Sequence, residues 1–494
     1  MHSLRLAAAV LPLLLSSCML GPDYASPETP LPAKFSEGAK QSVGDVAVSA
    51  WWNSFSDRTL NQYVATGLDE NLSVQQALER INAAAAEVTI GGAGGLPNLD
   101  FGASHTICKA RKARDVTSTQ NISGGQLSLN WLLDVFGQYR RSTESALASL
   151  DSAHAAVDIA KLALIKDLVS SYIDARYYQQ RVSISRANLK SRQETYDLTK
   201  FQLEAGAASR LDVSQAEALV QSTIAELPSP ELNFRVSAHH IATLIALPSE
   251  MVVKQLQKNE GQPVYRGKIN AGIPADLIRN RPDIRQAERN LAAATAKIGV
   301  AEARLYPAIT LSGSITPSYI NQRGRRGDIS KWSFGPSLDL PILDGGRLRA
   351  NVETSKSDAA AAYISWKSTV LTAVQEVQDA LTAVRRDVRT VNSRHRQVET
   401  TEETLKLSVD SYKDGASSLL DVLDAQRQVS SAQASLATAI QKLAKDHVQL
   451  NVAIGGGFAT PIVASPWVEA PRVSQQMQTS GRIRNSRALH CGMF

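Results

Sequence analysis

The chain has 494 residues, 5% of them aromatic and 20% charged, with a formal net charge of +6. That length supports two or three ordinary domains, and the composition is not that of a disordered chain. The cations are scattered among Asp and Glu, apart from one cluster at Arg323, Arg325 and Arg326. No aromatic–basic interleaving accompanies them, which argues against a nucleic-acid partner.

The first residues read as a targeting signal. Arg5 precedes a short apolar core, Leu6 to Leu15, too short to span a bilayer. Leu15-Ser16-Ser17-Cys18 resembles a bacterial lipobox. Residues 1–17 are therefore expected to be a signal peptide, and Cys18 to carry covalent lipid. The alternative is a plain secretory signal with an accidental cysteine. Met19, rather than Asp, follows Cys18, which in lipoproteins favours the outer membrane. The other cysteines, Cys108 and Cys491, lack metal-ligand spacing and can pair only if the fold brings them together. No metal or other cofactor is expected. No later run reaches the length of an apolar transmembrane helix, so any membrane crossing must be made of strands.

Residues 18–50 are rich in Pro, Ser, Ala and Gly and predict an extended, lipidated tether with no core of its own. A first repeat is expected over 51–250. It opens with a helical pattern from Trp51-Trp52 through Leu60, Leu68 and Leu78. A strand pair follows at 96–108 and 121–135. In the second strand Leu127, Leu129, Trp131 and Leu133 nearly alternate with polar residues, set against Gln126, Ser128, Asn130 and Leu132. Such alternation suits a wall between lipid and water, and a half-buried globular strand reads the same way. A long helical hairpin is expected over 137–227, turning at Gly206, with Ser209 as N-cap of the returning helix. Pro228 should end that helix, and the regular pattern is lost beyond it. The adjacent His239-His240 point to different helix faces and make a poor metal pair.

A connector is expected over 251–275, then a second repeat over 276–457. The second repeat holds a helix, a strand pair at 306–320 and 331–343, and a hairpin at 346–454. In that hairpin Val370, Val374, Val377, Leu381, Val384, Val388, Val391, Val398, Leu405 and Tyr412 recur at heptad spacing, the period of a left-handed coiled coil. Gly415 breaks the run. Residues 458–494 read as a tail, disordered or altered.

The two repeats align. Gly206 to Val213 matches Gly415 to Val422 at an offset of 209, and Glu79-Arg80 matches Glu288-Arg289 at the same offset. Each chain thus offers four strands, which cannot close a barrel. Two chains give eight, whose interior side chains fill. Three give twelve, enough for a lumen. No nucleotide loop or nucleophile elbow is present, so an enzyme is not expected. The second turn carries Asp421 and Asp424, with Arg427 three residues further on. Taken alone, this spacing is that of an intrahelical ion pair worth about 0.2–0.5 kcal/mol.

Four motifs carry a family resemblance. They are Trp51-Trp52-Asn53-Ser54-Phe55, the run Ile273 to Glu288 with Arg281-Pro282-Asp283 at its centre, the run Ile298 to Pro307, and Leu423-Asp424-Ala425-Gln426-Arg427. Together they resemble the TolC-like outer-membrane efflux factors, in the lipoprotein branch that works with resistance-nodulation-division pumps. The resemblance covers about 18–457. It implies a mixed α and β homotrimer, with a 12-stranded transmembrane β-barrel on a long periplasmic α-helical barrel and a mixed equatorial belt. It further implies a passive exit duct for drugs or toxic compounds in a tripartite efflux system. Its partners would be a periplasmic adaptor protein and an inner-membrane proton-driven pump. By the same resemblance Asp424 and Arg427 match the periplasmic constriction and Leu420 its apolar plug; Asp421, three residues before Asp424 on one helix face, is placed in the same gate. The competing class is a surface coiled-coil structural or adhesin-like protein.

Overall fold

A computed structural model describes residues 19–28, 31–36, 46, 48–111, 117–258, 261–267, 272–322 and 325–459. The expected signal peptide, Cys18, Cys491 and the tail from 460 onward lie outside the described residues.

A single-turn 3₁₀ helix at Trp51–Phe55 leads into α1 (Arg58–Glu70) and α2 (Leu72–Ala93). Strands β1 (Asn98–Arg111) and β2 (Thr117–Leu133) follow, then α3 (Gln138–Glu204), α4 (Arg210–Glu226), α5 (Pro228–Leu244) and α6 (Ser249–Leu256). The second half begins with α7 (Pro274–Asn280) and α8 (Pro282–Ala303). It continues through β3 (Ala308–Gln322), β4 (Arg325–Asp339), α9 (Arg347–Lys413) and α10 (Leu419–Ala453). Helices α3 and α9 have 67 residues each, roughly 100 Å of rod. α2 and α8 have 22 each.

Three sequence expectations are corrected here. The returning helix of the first hairpin does not end at Pro228. Pro occupies the first position of α5, where no intrahelical N–H is required, and Leu227 keeps helical φ −61° and ψ −40°. Together α4 and α5 run from 210 to 244, matching the 419 to 453 of α10 at both ends. The expected connector begins with α6, whose Val252 and Leu256 are fully buried. The tether also has its own anchor. Phe35 is fully buried in the core of the second half, among Ile284, Trp366, Val370 and Val377. One aromatic in a Pro-rich stretch has no period to reveal it.

The larger core joins Trp51, Trp52, Phe55 and Leu60 to Leu164, Leu168 and Tyr172 of α3, Ile241 of α5 and Ile245 just past its end, and Val448 of α10. Each such side chain contributes about 1.5–3 kcal/mol by leaving water. The Trp51 indole N–H donates to Gly456 O at 3.1 Å, so the start of the first repeat is fastened to the end of the second. Arg281, from the central motif, donates to Asp283, to Glu376 of α9 and to Ala453 O, closing the other side of that joint. The α9 seam is buried from Trp366 to Val384 at Val370, Val377, Leu381 and Val384, with Val374 half-buried. Below that Val388 is exposed, and Val391, Val398 and Leu405 are half-buried.

The strands form one antiparallel sheet in the order β1-β2-β3-β4, with β2 paired to β3 across the two repeats. The register sorts side chains by face. Leu99 lies opposite Leu129, Phe101 opposite Leu127, Leu127 opposite Ile315, and Ile315 opposite Trp332. Phe334 and Leu338 share that alternation. Trp332 is 79% exposed and Phe101 75%, so this apolar face is uncovered in the single chain. The other face carries rows such as Asp100–Ser128–Ser314–Ser333. An apolar face of this extent on one side and a polar face on the other is the pattern of a lipid-facing barrel wall. Among the described residues no helix is long and apolar enough to cross a membrane.

Candidate functional site

The two hairpin tips are built alike. Gly206 and Gly415 sit at φ +80° and +73°, where a side chain would be strained. Each ends its helix in a Schellman turn. Ala207 N–H donates to Gln202 O and Gly206 N–H to Leu203 O. Ala416 N–H donates to Ser411 O and Gly415 N–H to Tyr412 O. A capping box then starts each returning helix, Ser209 with Asp212 and Ser418 with Asp421. Asp421 Oδ2 accepts from the Ser418 N–H at 3.0 Å and from its hydroxyl at 2.8 Å. Those two donors hold the Asp421 carboxyl below the usual range.

The tips differ one turn further along. In the first hairpin the positions matching Asp424 and Arg427 are Gln215 and Ala218. A ring of alternating tips would therefore carry Asp424 and Arg427 at every second helix pair. Leu420 is 54% exposed at the end of the molecule. Asp424 and Arg427 are exposed on the same helix, and among the described residues no ion pair joins them. The Asp424 carboxylate instead accepts from the Gln428 amide, which leaves its charge uncompensated. The intrahelical pair that the spacing allowed is not formed. Arg427 lies within electrostatic reach of Arg192 on α3, a residue absent from the sequence expectations. Burial chiefly, with Arg427 adding, pushes the Arg192 guanidinium below its ordinary pKa, against the opposing pull of Glu226.

Arg192 belongs to a polar seam. Ser185, Arg192 and Thr199 recur every seven residues and are all buried. Arg192 donates to Thr223, and Gln426 of α10 donates to Thr195 at 2.8 Å. Tyr412 donates its hydroxyl to Gln202, tying α9 to α3. The apolar core at this end is small, with Ala216, Leu219, Leu419 and Leu423 at its centre. Hydrogen bonds of about 0.5–1.5 kcal/mol each hold it, rather than a continuous apolar seam. Such an end can open without unfolding the rest.

At the opposite end of the helices, Arg141 is 1% exposed at the first turn of α3. It donates to Leu20 O at 2.9 Å, Gly21 O at 3.0 Å, Asp23 at 2.8 Å and Glu144 at 2.7 Å. Met19 packs over Gly137, just past the end of β2. Cys108 is exposed and outside any disulfide. His240 meets Asp167 at 2.9 Å, and among the described residues no group of His, Cys, Asp and Glu suits a metal ion.

Comparison with known proteins adds three findings. The family model for outer membrane efflux proteins matches residues 65–246 and 273–456, one segment in each repeat. Nodulation protein T of Rhizobium leguminosarum bv. viciae is 85% identical over 467 residues, covering 94% of this chain and 96% of that protein. The toluene efflux pump outer membrane protein TtgC of Pseudomonas putida is 30% identical over 467 residues, covering 92% and 95%. Among solved structures, the outer-membrane channel OprN is similar with a TM-score of 0.80 and 33% identity, covering 89% of this chain and all of that one.

Proposed function

This chain belongs to the outer membrane efflux protein family, and on that premise we propose that three copies close into one exit duct gated at its helical tips. The chain is an outer-membrane efflux channel that extends into the periplasm, and it is not an enzyme. The observation that carries the trimer is the open sheet. β1 and β4 are edges with one partner each, and a long exposed edge invites further pairing. Twelve strands from three chains remove every edge, place the apolar face on lipid and enclose the polar face as a lumen. Purified protein in a planar bilayer should give discrete single-channel conductance. Its mass in detergent, corrected for bound detergent, should be three times that of the chain. A monomer without conductance would favour a surface stalk instead.

The energy for export comes from elsewhere. A proton-driven inner-membrane pump and a periplasmic adaptor would deliver small toxic compounds to the tips. The name of TtgC, an outer membrane protein of a toluene efflux pump, supports that class of cargo and assembly.

The gate is assigned to Leu420, Asp421, Asp424 and Arg427 of three chains around one axis. The charge of Asp424 is not neutralised within its own chain, and Arg427 has Arg192 for a neighbour. Each therefore finds its best counter-charge across the axis, Arg427 of one copy with Asp424 of the next. Leu420 narrows the same opening.

Cys18 is assigned as the lipid anchor. The Arg141 contacts fix Leu20 and Gly21 at the junction of sheet and helices, the level at which an inner-leaflet lipid would enter the membrane. Mass spectrometry of the mature N-terminus should find lipid-modified Cys18, and an unmodified terminus at another residue would reject this assignment.

A further inference from the structure

β1 and β4 are the bare edges of the sheet in the single chain. The internal repeat relates them to the strands that already have two neighbours. Pro97 of the first repeat matches Pro307 of the second, and Gly137 matches Gly346. The two glycines sit at φ +80° and +85°, and each starts a helix of 67 residues. Counting from the prolines maps β1 onto β3, and counting from the glycines maps β2 onto β4. The observed hairpins obey this mapping. Leu99 lies opposite Leu129 in the first, and their counterparts Ile309 and Leu338 lie opposite each other in the second. Asn98 with Asn130 and Ala308 with Asp339 repeat the agreement.

The contact of β2 with β3 is the junction between repeats inside the chain. Gly124 lies opposite Ser318 there, Ser128 opposite Ser314, Trp131 opposite Leu311 and Leu133 opposite Ile309. We propose that β4 of one copy pairs with β1 of the next in the register that β2 and β3 already use, so that Ser333 lies opposite Cys108, Ser337 opposite Ser104, Leu340 opposite Phe101 and Ile342 opposite Leu99. The proposal rests on the three-chain barrel above and specifies its seam.

The first support is an unfinished strand. β2 continues to Leu133, and its last three residues pair only with β3. β4 stops at Asp339, the counterpart of Asn130, because no strand lies on its open side. Leu340 and Ile342, the counterparts of Trp131 and Leu133, are left exposed, Ile342 by 90%. A second copy supplies the missing partner and lengthens β4 to Ile342. The second support is the sorting of faces. Leu340 and Ile342 then join Phe101 and Leu99 on the apolar side, while Ser333 and Ser337 meet Cys108 and Ser104 on the polar side. The third is the cost of every nearby alternative. A slip of one residue turns the apolar set inward. A slip of two in one direction puts Asp339 directly opposite Asp100, like charge against like. A slip of two in the other direction puts Asp344 opposite Leu99. Asp344 already accepts from the Gly346 and Leu348 N–H groups at the start of α9. In the proposed register Asp339 meets Gly102.

Disulfide trapping in the full-length purified protein tests the register, in a Cys491→Ser background. Trimer mass and conductance are measured first. A monomer without conductance fails the barrel reading and this proposal with it, whereas the following outcomes judge the seam in an intact trimer. Within one chain Cys108 and Ser333 stand on opposite edges of the sheet, at least three strand spacings or about 14 Å apart, so any bond joins two copies. Under mild oxidation Ser333→Cys should trap the trimer as a covalent ring that reduction releases. Lys331→Cys and Gly335→Cys, two residues away on the same face, should cross-link at least about tenfold more slowly. Diagonal neighbours stand about 7–8 Å apart, against about 4.5–5.5 Å for opposite ones. Faster cross-linking at either flanking position, or none at all three, would overturn the register. Leu99→Cys with Ile342→Cys, in a Cys108→Ser, Cys491→Ser background, tests the lengthened strand and decides alone if Ser333→Cys does not assemble. Covalent trimers there support the proposal, and an intact trimer that never cross-links there rejects it.

Discussion

Replacing Asp424 and Arg427 together with Ala should raise single-channel conductance several-fold while leaving trimer mass and expression unchanged. The reason is where each charge finds its partner. Among the described residues of one chain Asp424 accepts from the Gln428 amide and forms no ion pair, and Arg427 lies within electrostatic reach of Arg192. A closed ring that brings three Asp424 side chains near one axis is stable only if cations or neighbouring Arg427 groups stand between them. Removing both ends of that link releases the tips and widens the passage. Asp421→Ala is the less selective probe, because Asp421 completes the capping box with Ser418 and its loss also loosens the turn itself. Single changes at Tyr412→Phe or Gln426→Ala should act in the same direction but more weakly, each removing bonds of α3 to the second hairpin. Conductance unchanged in an Asp424→Ala, Arg427→Ala channel that still inserts as a trimer would place the constriction elsewhere.

The turns beneath this gate were legible because their chemistry is local. Gly206 and Gly415 mark the turns, and Ser209 the first N-cap, from the residues themselves, whereas the Schellman bonds and both capping boxes, that of Ser418 with Asp421 included, emerge only in the structure. The apolar strand face was legible for the same reason, since Leu127, Leu129, Trp131 and Leu133 show their period directly. The strand ends were not. Thr117 to Gln120 are all polar and carry no alternation, so β2 begins four residues before the expected 121, and β4 begins six before the expected 331. Arg192 escaped notice because a heptad search counts apolar residues, and here the buried seam is Ser185, Arg192 and Thr199. Helix α5 escaped because Pro228 reads as a stop in sequence. Only the structure shows that it occupies a first-turn position, where Pro is tolerated. In each case the missing signal was tertiary, a burial or a position in a helix that no short window contains.

Substituting Gly299 with Ala should release the start of the N-terminal strap, although Ala is the better helix former by about 1 kcal/mol. Gly299 lies inside α8, and its hydrogen faces the strap. A Cβ there would come 2.7 Å from Leu20 O and 2.8 Å from Arg141 Cγ. Gly21, at φ +85°, approaches from the other side, where a Cβ would come 2.4 Å from Gly299 Cα. The two backbones meet with no room for a methyl group. Moving the strap away would leave Arg141 without Leu20 O and Gly21 O. Leaving such buried groups unpaired costs about 1–3 kcal/mol, and Asp23 adds little because it is 85% exposed. Tyr24 reports the release. Its hydroxyl donates to Glu288 at 2.9 Å, and its ring lies beneath the Arg289 guanidinium. Burial and the Glu288 carboxylate push that phenol up to about 12. Chymotrypsin should therefore cut after Tyr24 roughly ten- to a hundredfold faster in the Gly299→Ala trimer than in wild type, a ratio of opening equilibria set by that cost. Arg141→Gln should behave similarly without adding a methyl group, which separates loss of the hydrogen bonds from steric exclusion. Equal cleavage rates in all three proteins would mean that Phe35, buried further along the strap, holds the segment without help from this contact.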